Sequence, residues 1–250
     1  YMATPAMVAG PLRASPSGIT PPDHTVPPPG TIKAAFFDVG NVILPFDYHR
    51  ASRRLVEHSD KSEDEIYTVL TAGDHAKQFE RGEITSDEYY RWLTTPEGIG
   101  LTMPYAAFAI AFKDIFTIDE GTVDAMKRLR GAGYRIYIVS NTNPLHKEHF
   151  LARYAAIFSL TDGFVASYEV GMMKNDKRIF EIALKSAGLE GKEVVYFDDV
   201  PAYVKNAMSY GIHAREFYQG VEPVPYITQA LRDAARESVR ASASGFVNQI

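Results

Sequence analysis

Ile32-Lys33-Ala34-Ala35-Phe36-Phe37-Asp38-Val39-Gly40-Asn41-Val42-Ile43 is the stretch on which the reading of this chain turns. Its apolar run, Ala34–Phe37, has the length of a buried strand and ends at a carboxylate, Asp38. A glycine turn follows at once. An acid in that position emerges at the carboxyl edge of a sheet, where open α/β folds carry their chemistry. Three further pieces follow in order: Ser140-Asn141 after a second apolar strand, Lys174 ahead of a helix, and Asp198-Asp199 after a third strand.

Working outward, the spacing predicts further strands at Arg135–Val139, Phe164–Ala166, Glu193–Phe197 and Ile212–Phe217. Helices are expected between them at Gly121–Arg130, Leu145–Tyr154, Lys177–Ala187 and Tyr203–Tyr210. Strands alternating with helices imply an α/β fold, a Rossmann-like parallel sheet with helices on both faces. Between the first strand and Asp119 lie roughly seventy residues with no good strand, long enough for a distinct subdomain. They read as five helices, Arg50–Ser59, Ser62–Thr71, Asp74–Arg81, Ser86–Leu93 and Met103–Phe116. Ser62-Glu63-Asp64-Glu65 is a capping box for the second, and Ser86-Asp87-Glu88 opens the fourth.

The expected organisation is therefore an extended segment over 1–30, a core formed by 31–47 and 117–250, and an all-helical cap over 48–116. Eight of the fifteen prolines fall in the first segment, which disfavours helix and central strand. A last helix over 226–241 carries Ile227, Leu231, Ala234 and Val239 on one side. Either an edge cover or a homodimer contact would use that side.

Composition narrows the partners. The chain has 250 residues, 46% hydrophobic and 23% charged, with a formal charge of −5. That balance argues against a nucleic-acid backbone or an anionic membrane as the main partner. Any phosphate must be caught locally. The absence of cysteine excludes disulfides, thiolate catalysis and thiolate-bound zinc. No apolar stretch approaches a membrane span, and the N-terminus lacks the layout of a secretory signal, so a cytoplasmic protein is expected.

Taken singly, each marked residue has an ordinary reading. Asp38 is a turn former, Ser140-Asn141-Thr142 is turn chemistry, Lys174 is solvated, and Asp198-Asp199 caps a helix with Pro201 in its first turn. Jointly they do not, because all lie at the carboxyl ends of parallel strands or on loops reaching them, and those ends converge. Three acids brought together need a cation or protons. Oxygen ligands without His or Cys select a hard cation, most simply Mg²⁺. A lysine and a Ser/Asn turn beside it form an anion pocket. Together these are the parts for phosphoryl transfer, with Asp38 attacking in line.

From about Ile32 to Phe217 these pieces resemble, in order and spacing, the four motifs of the haloacid dehalogenase-like hydrolases. Phe37-Asp38-Val39-Gly40-Asn41-Val42-Ile43, Asp47-Tyr48-His49-Arg50, Phe79-Glu80-Arg81-Gly82-Glu83-Ile84 and Ser140-Asn141-Thr142-Asn143 look most like the branch acting on α-glucose 1-phosphate. The resemblance implies a helical cap inserted after the first motif and Asp38 as nucleophile. It also implies Ser140 and Asn141 on phosphate, and Lys174 bridging nucleophile and phosphate. Mg²⁺ is implied on Asp38, the Gly40 carbonyl and the Asp198/Asp199 pair. Phosphatases of this superfamily usually carry a second Asp two residues after the nucleophile, as general acid and base. Here that position is Gly40, as in the branch resembled, and a steep dependence on leaving group is expected. Asn175 stands where the family usually has proline, and Val200 and Tyr203 replace common polar residues.

The expected activity is Mg²⁺-dependent hydrolysis of a small phosphorylated metabolite, a sugar phosphate above all. Two rivals stand beside it: a metal-free haloacid dehalogenase, against which the Asp198-Asp199 pair argues, and a fold-retaining scaffold with little turnover. Asp47 is read as the cap of the first inserted helix. His49 is read as structural. His75, Phe79 and Glu80 share a helical face, with packing favoured for Phe79. Trp92, Tyr89 and Tyr90 are read as core of the inserted helices.

Overall fold

β1 (Ala34–Phe37) is buried at every residue, which fits a strand covered on both faces and paired along both edges. β2 (Arg135–Ser140) pairs with it on one side and β4 (Val194–Asp198) on the other, both parallel. β3 (Gly163–Ala166) and β5 (His213–Glu216) complete a five-stranded sheet of order β3-β2-β1-β4-β5. The protein is seen in a computed structural model that describes residues 25–218 and 220–247. Residues 1–24 of the proline-rich segment lie outside the described residues. Its last six, 25–30, run without regular structure, and Val26 packs on the core.

Strand alternation divides the core in two. Ala35, Phe37, Val195 and Phe197 point to one face, Ala34, Phe36, Val194 and Tyr196 to the other. The first face is covered by α6 (Glu120–Gly131), α7 (Pro144–Arg153) and α12 (Pro223–Val247) through Met126, Leu129, Phe150, Ile227 and Leu231. The second is covered by α10 (Arg178–Ala187) and α11 (Pro201–Met208) through Ile179, Phe180, Leu184 and Ala207. Two one-turn helices that the sequence did not announce, α8 (Ala155–Phe158) and α9 (Ser167–Val170), flank β3. α12 is longer than expected, and Val239, placed on its apolar side from sequence, is 63% exposed.

The inserted helices are α1 (His49–Leu55), α2 (Glu63–Ala72), α3 (Asp74–Glu80), α4 (Ser86–Leu93) and α5 (Tyr105–Lys113). α1 stops early and continues as a 3₁₀ turn over Val56–His58. α5 starts only after Pro104, which is extended. α4 opens at Ser86 as expected, and its cap is Thr85, which forms a capping box with Glu88. The insertion leaves and rejoins the sheet through two segments lying side by side. Asp47 N–H donates to Ile115 O at 3.0 Å, Thr117 N–H to Pro45 O at 2.8 Å and Asp119 N–H to Ile43 O at 3.0 Å. Leu55, Ile66, Phe79, Phe108 and Phe112 of the insertion belong to the same apolar cluster as the first sheet face. No helix among the described residues is long and apolar enough to cross a membrane.

Candidate active site

The strand order reverses between β1 and β4, and the two strands end in register, with Phe37 opposite Phe197. Asp38 and Asp198 therefore emerge as neighbours, and Asp38 N–H donates to Phe197 O at 2.9 Å. Such a switch point is where ligands bind in open α/β sheets. Asp38, Asp198 and Asp199 each place a carboxylate oxygen within 4.8 Å of the others.

Lys174, 1% exposed, reaches this cluster from the loop between α9 and α10. Its Nζ lies 2.9 Å from Asp38 Oδ1 and 2.6 Å from Asp198 Oδ2. Burial pulls the lysine pKa down, but the two carboxylates outweigh it and hold the ammonium above its usual value. Burial is also the leading effect on Asp38. It carries that carboxyl up to about 7, opposed by Lys174 and helped by Asp198 and Asp199. Asp199 is raised as well, again chiefly by burial, while its hydrogen bond from Asn41 Nδ2 at 2.9 Å works against the rise.

Several supporting groups were not singled out from sequence. The Tyr196 hydroxyl donates to Asp198 Oδ2, and Val200 N–H donates to Asp198 Oδ1 at 2.8 Å. Tyr196 and Asp198 are two apart on one strand, and that period was the available signal. Asn206 Nδ2 on α11 donates to Lys174 O at 2.9 Å, fixing the lysine's backbone. Asn141 is more occupied than its motif suggests. Its Oδ1 accepts Lys174 N–H at 2.8 Å and its Nδ2 donates to the Tyr203 hydroxyl at 3.1 Å.

Beside the cluster is a cavity of about 70 Å³ bounded by Gly40, Ser140, Asn141, Thr142 and His146 together with Phe46, Tyr48 and Glu80. Ser140 is 2% exposed and Thr142 5%. His146 is fully enclosed, stacked on Phe112 at 4.5 Å. Its Nε2 lies 3.2 Å from Phe112 O, so it carries the proton, and Nδ1 accepts from Asn143 Nδ2 at 3.0 Å. Burial lowers its pKa to about 3, so the ring is neutral.

The face expected to group His75, Phe79 and Glu80 is divided in the fold. His75 stacks on Trp92 at 4.0 Å, Phe79 is core against Tyr89, and Glu80 alone borders the cavity. His49 stacks on Tyr67 and lies 3.1 Å from Glu63, away from the acids. Asp47 Oδ1 accepts the His49 N–H at 2.8 Å, so its side chain serves the first turn of α1.

The haloacid dehalogenase-like hydrolase family matches residues 32–204. The chain belongs to this family. A phosphatase of Mycobacterium tuberculosis is 24% identical over 205 residues, 74% of this chain and 86% of that protein. D-ribitol-5-phosphate phosphatase of Bacteroides thetaiotaomicron is 25% identical over 174 residues, 67% of this chain and 83% of that one. A HAD family enzyme of the same organism, solved with magnesium and inorganic phosphate, superposes with a TM-score of 0.66 at 23% identity, covering 76% of this chain and 96% of its own. As a haloacid dehalogenase-like hydrolase, the protein has its insertion between β1 and α6, after the first motif.

Proposed function

We propose that the protein is a Mg²⁺-dependent phosphatase that hydrolyses a small phosphorylated metabolite through an aspartyl-phosphate on Asp38. The carrying observation is the buried cluster of Asp38, Asp198 and Asp199 with Lys174 between two of them. Three carboxylates against one ammonium leave a formal charge of −2, which a hard divalent cation would balance through oxygen ligands. In this reading Asp38, the Gly40 carbonyl and the Asp198/Asp199 pair hold Mg²⁺, which when bound neutralises charge on the phosphoryl group. The neighbour that holds magnesium and phosphate on the same fold supports it.

The chain's own residues then divide the work. Lys174 engages Asp38 Oδ1, and among the described residues no donor reaches Oδ2, leaving it to attack phosphorus. Ser140 and the main chain near Asn141 receive the phosphoryl oxygens, while the Asn141 amide keeps Lys174 in place. The helices over 48–116 act as the cap that admits the substrate and excludes water. A sugar or polyol phosphate is the favoured class, in keeping with the ribitol-phosphate relative. An anomeric phosphate is the finer choice.

The test is phosphate release over a panel of sugar, polyol and aryl phosphates, with Mg²⁺ and with chelator, beside 2-haloacids with halide detection. Release that needs Mg²⁺ supports the proposal. Halide release that survives chelation would replace it with the dehalogenase reading.

A further inference from the structure

We propose that Glu80 is the catalytic acid and base of this site, protonating the departing oxygen in place of the carboxylate missing at Gly40. This deepens the phosphatase reading and rests on it. A second cavity of about 290 Å³, bounded by Asp47, Tyr67, Leu70 and Thr71, adjoins the first. Phe46, Tyr48 and Glu80 line both. With the phosphoryl group beside Ser140 and the remainder of the substrate in the larger space, the bond that breaks lies against the wall these three form. Phe46 has no proton to give. Burial holds the Tyr48 hydroxyl well above its ordinary pKa, too weak an acid for the task. Glu80 is the carboxyl group at the junction.

Glu80 is also fixed there. It ends α3, and its main-chain oxygen lies 2.6 Å from the Ser167 hydroxyl, whose oxygen accepts Thr142 N–H at 3.0 Å. One serine thus ties Glu80 to the loop after β2. Gly82, at φ +68°, lets the chain pass so close to Tyr168 that a Cβ would fall 2.2 Å from the Tyr168 carbonyl oxygen. The carboxyl itself has no hydrogen bond or ion pair among the described residues.

Its proton affinity suits the role. Burial raises the pKa to about 7, and Lys174 opposes the rise. Tyr48, Tyr89 and Tyr203 also feel its charge, and neutral His146 shares the inner cavity. A phosphoryl dianion entering beside it raises the pKa further, so substrate arrives at an acid already carrying its proton. As Asp38 Oδ2 bonds phosphorus, the bond to the leaving oxygen breaks. That oxygen keeps the electron pair and takes the Glu80 proton. Water then attacks phosphorus and gives a proton to the Glu80 carboxylate. The Asp38–phosphorus bond breaks, its electrons return to Asp38, and both residues regain their starting state.

The test compares wild type and Glu80→Gln, with Mg²⁺, on an aryl phosphate and a polyol phosphate. In Glu80→Gln, leaving-group release in a single turnover should slow by about 10²-fold or more for the polyol phosphate and little for the aryl phosphate, while the shared step that clears the aspartyl-phosphate slows for both. The wild-type polyol rate should fall as pH rises past the Glu80 range, and the variant should lack that limb. Equal loss of single-turnover release on both substrates would overturn the proposal. Should the variant not fold, calorimetry on the wild type in saturating Mg²⁺, which favours the ionised Asp38 and Asp199 carboxylates, decides. Sulfate, a dianion with no proton to exchange near neutrality, should take up protons on binding, seen as a buffer-dependent heat. No uptake would overturn the assignment. A wild type active on aryl phosphate that fails these tests leaves the phosphatase reading standing. One inactive on both substrates overturns both.

Discussion

Phe46 closes over Gly40, so that a Cβ on Gly40 would lie 2.8 Å from Phe46 Cε1 and 3.3 Å from Cδ1. Gly40 is not in the left-handed region. The residue that is, Asn41 at φ 54°, belongs to a type that tolerates it. Space, not backbone strain, keeps a side chain out of position 40.

Gly40→Ala should therefore destabilise the protein by about 1–2 kcal/mol, the range of modest overpacking, because the 39%-exposed Phe46 ring has room to yield. Gly40→Ala/Phe46→Ala should be more stable than the sum of the single variants predicts. Urea midpoints for the four proteins measure this, and simple additivity would show that the two do not interact.

Lys174→Ala should cost about 3–5 kcal/mol without divalent cation, since it leaves two buried carboxylates facing each other. Mg²⁺ should recover part of that loss, by taking over the neutralisation. Thermal unfolding with and without Mg²⁺ tests it. A variant indifferent to Mg²⁺ would argue against a cation at this cluster.

Glu80 gives a pH dependence of stability with a definite sign. Its folded pKa of about 7 lies above the ordinary glutamate value. Between those values the folded protein holds a proton that the unfolded chain has released, so this group's contribution falls as pH rises toward 7. Glu80→Gln should remove that slope and be relatively more stable at pH 8 than at pH 5. About 1–2 kcal/mol is expected, because water reaching the cavity reduces the full shift. Denaturant titrations of both proteins across that range check it. A difference that does not change with pH would mean the carboxyl is ionised in the folded state.

The strands and the acids at their ends were legible because each signal is local: an apolar run, its length, and a carboxylate placed directly after it. Asp38 and Asp198 are marked in that way; Ser140 ends its own apolar run, and Lys174 is marked by the helix that follows it. What escaped depends on contacts distant in sequence. α9 is one turn long and gives no period to read, yet its Ser167 joins Glu80 to Thr142. The face shared by His75, Phe79 and Glu80 was real as helix geometry, but tertiary packing sent the three side chains to different neighbours. The closure of Phe46 over Gly40 depends on the turn between them, whose backbone pairs Gly40 with Leu44.

Tyr196→Phe should destabilise the protein by about 1.5–3 kcal/mol, the usual worth of a hydrogen bond to a charged group. Its effect on turnover should be smaller than that of Lys174→Ala, because Lys174 still engages Asp198. Urea unfolding beside phosphate release on one substrate separates the two effects. A loss of turnover as large as for Lys174→Ala would place Tyr196 in the chemistry itself.

The central claim is that Asp38 carries the phosphoryl group. The most direct measurement is an acid quench during turnover with Mg²⁺, followed by mass spectrometry of the peptide that contains Asp38. The account predicts one phosphoryl group on that residue in the wild type, and neither adduct nor phosphate release in folded Asp38→Asn. Wild-type turnover by Asp38→Asn would contradict it.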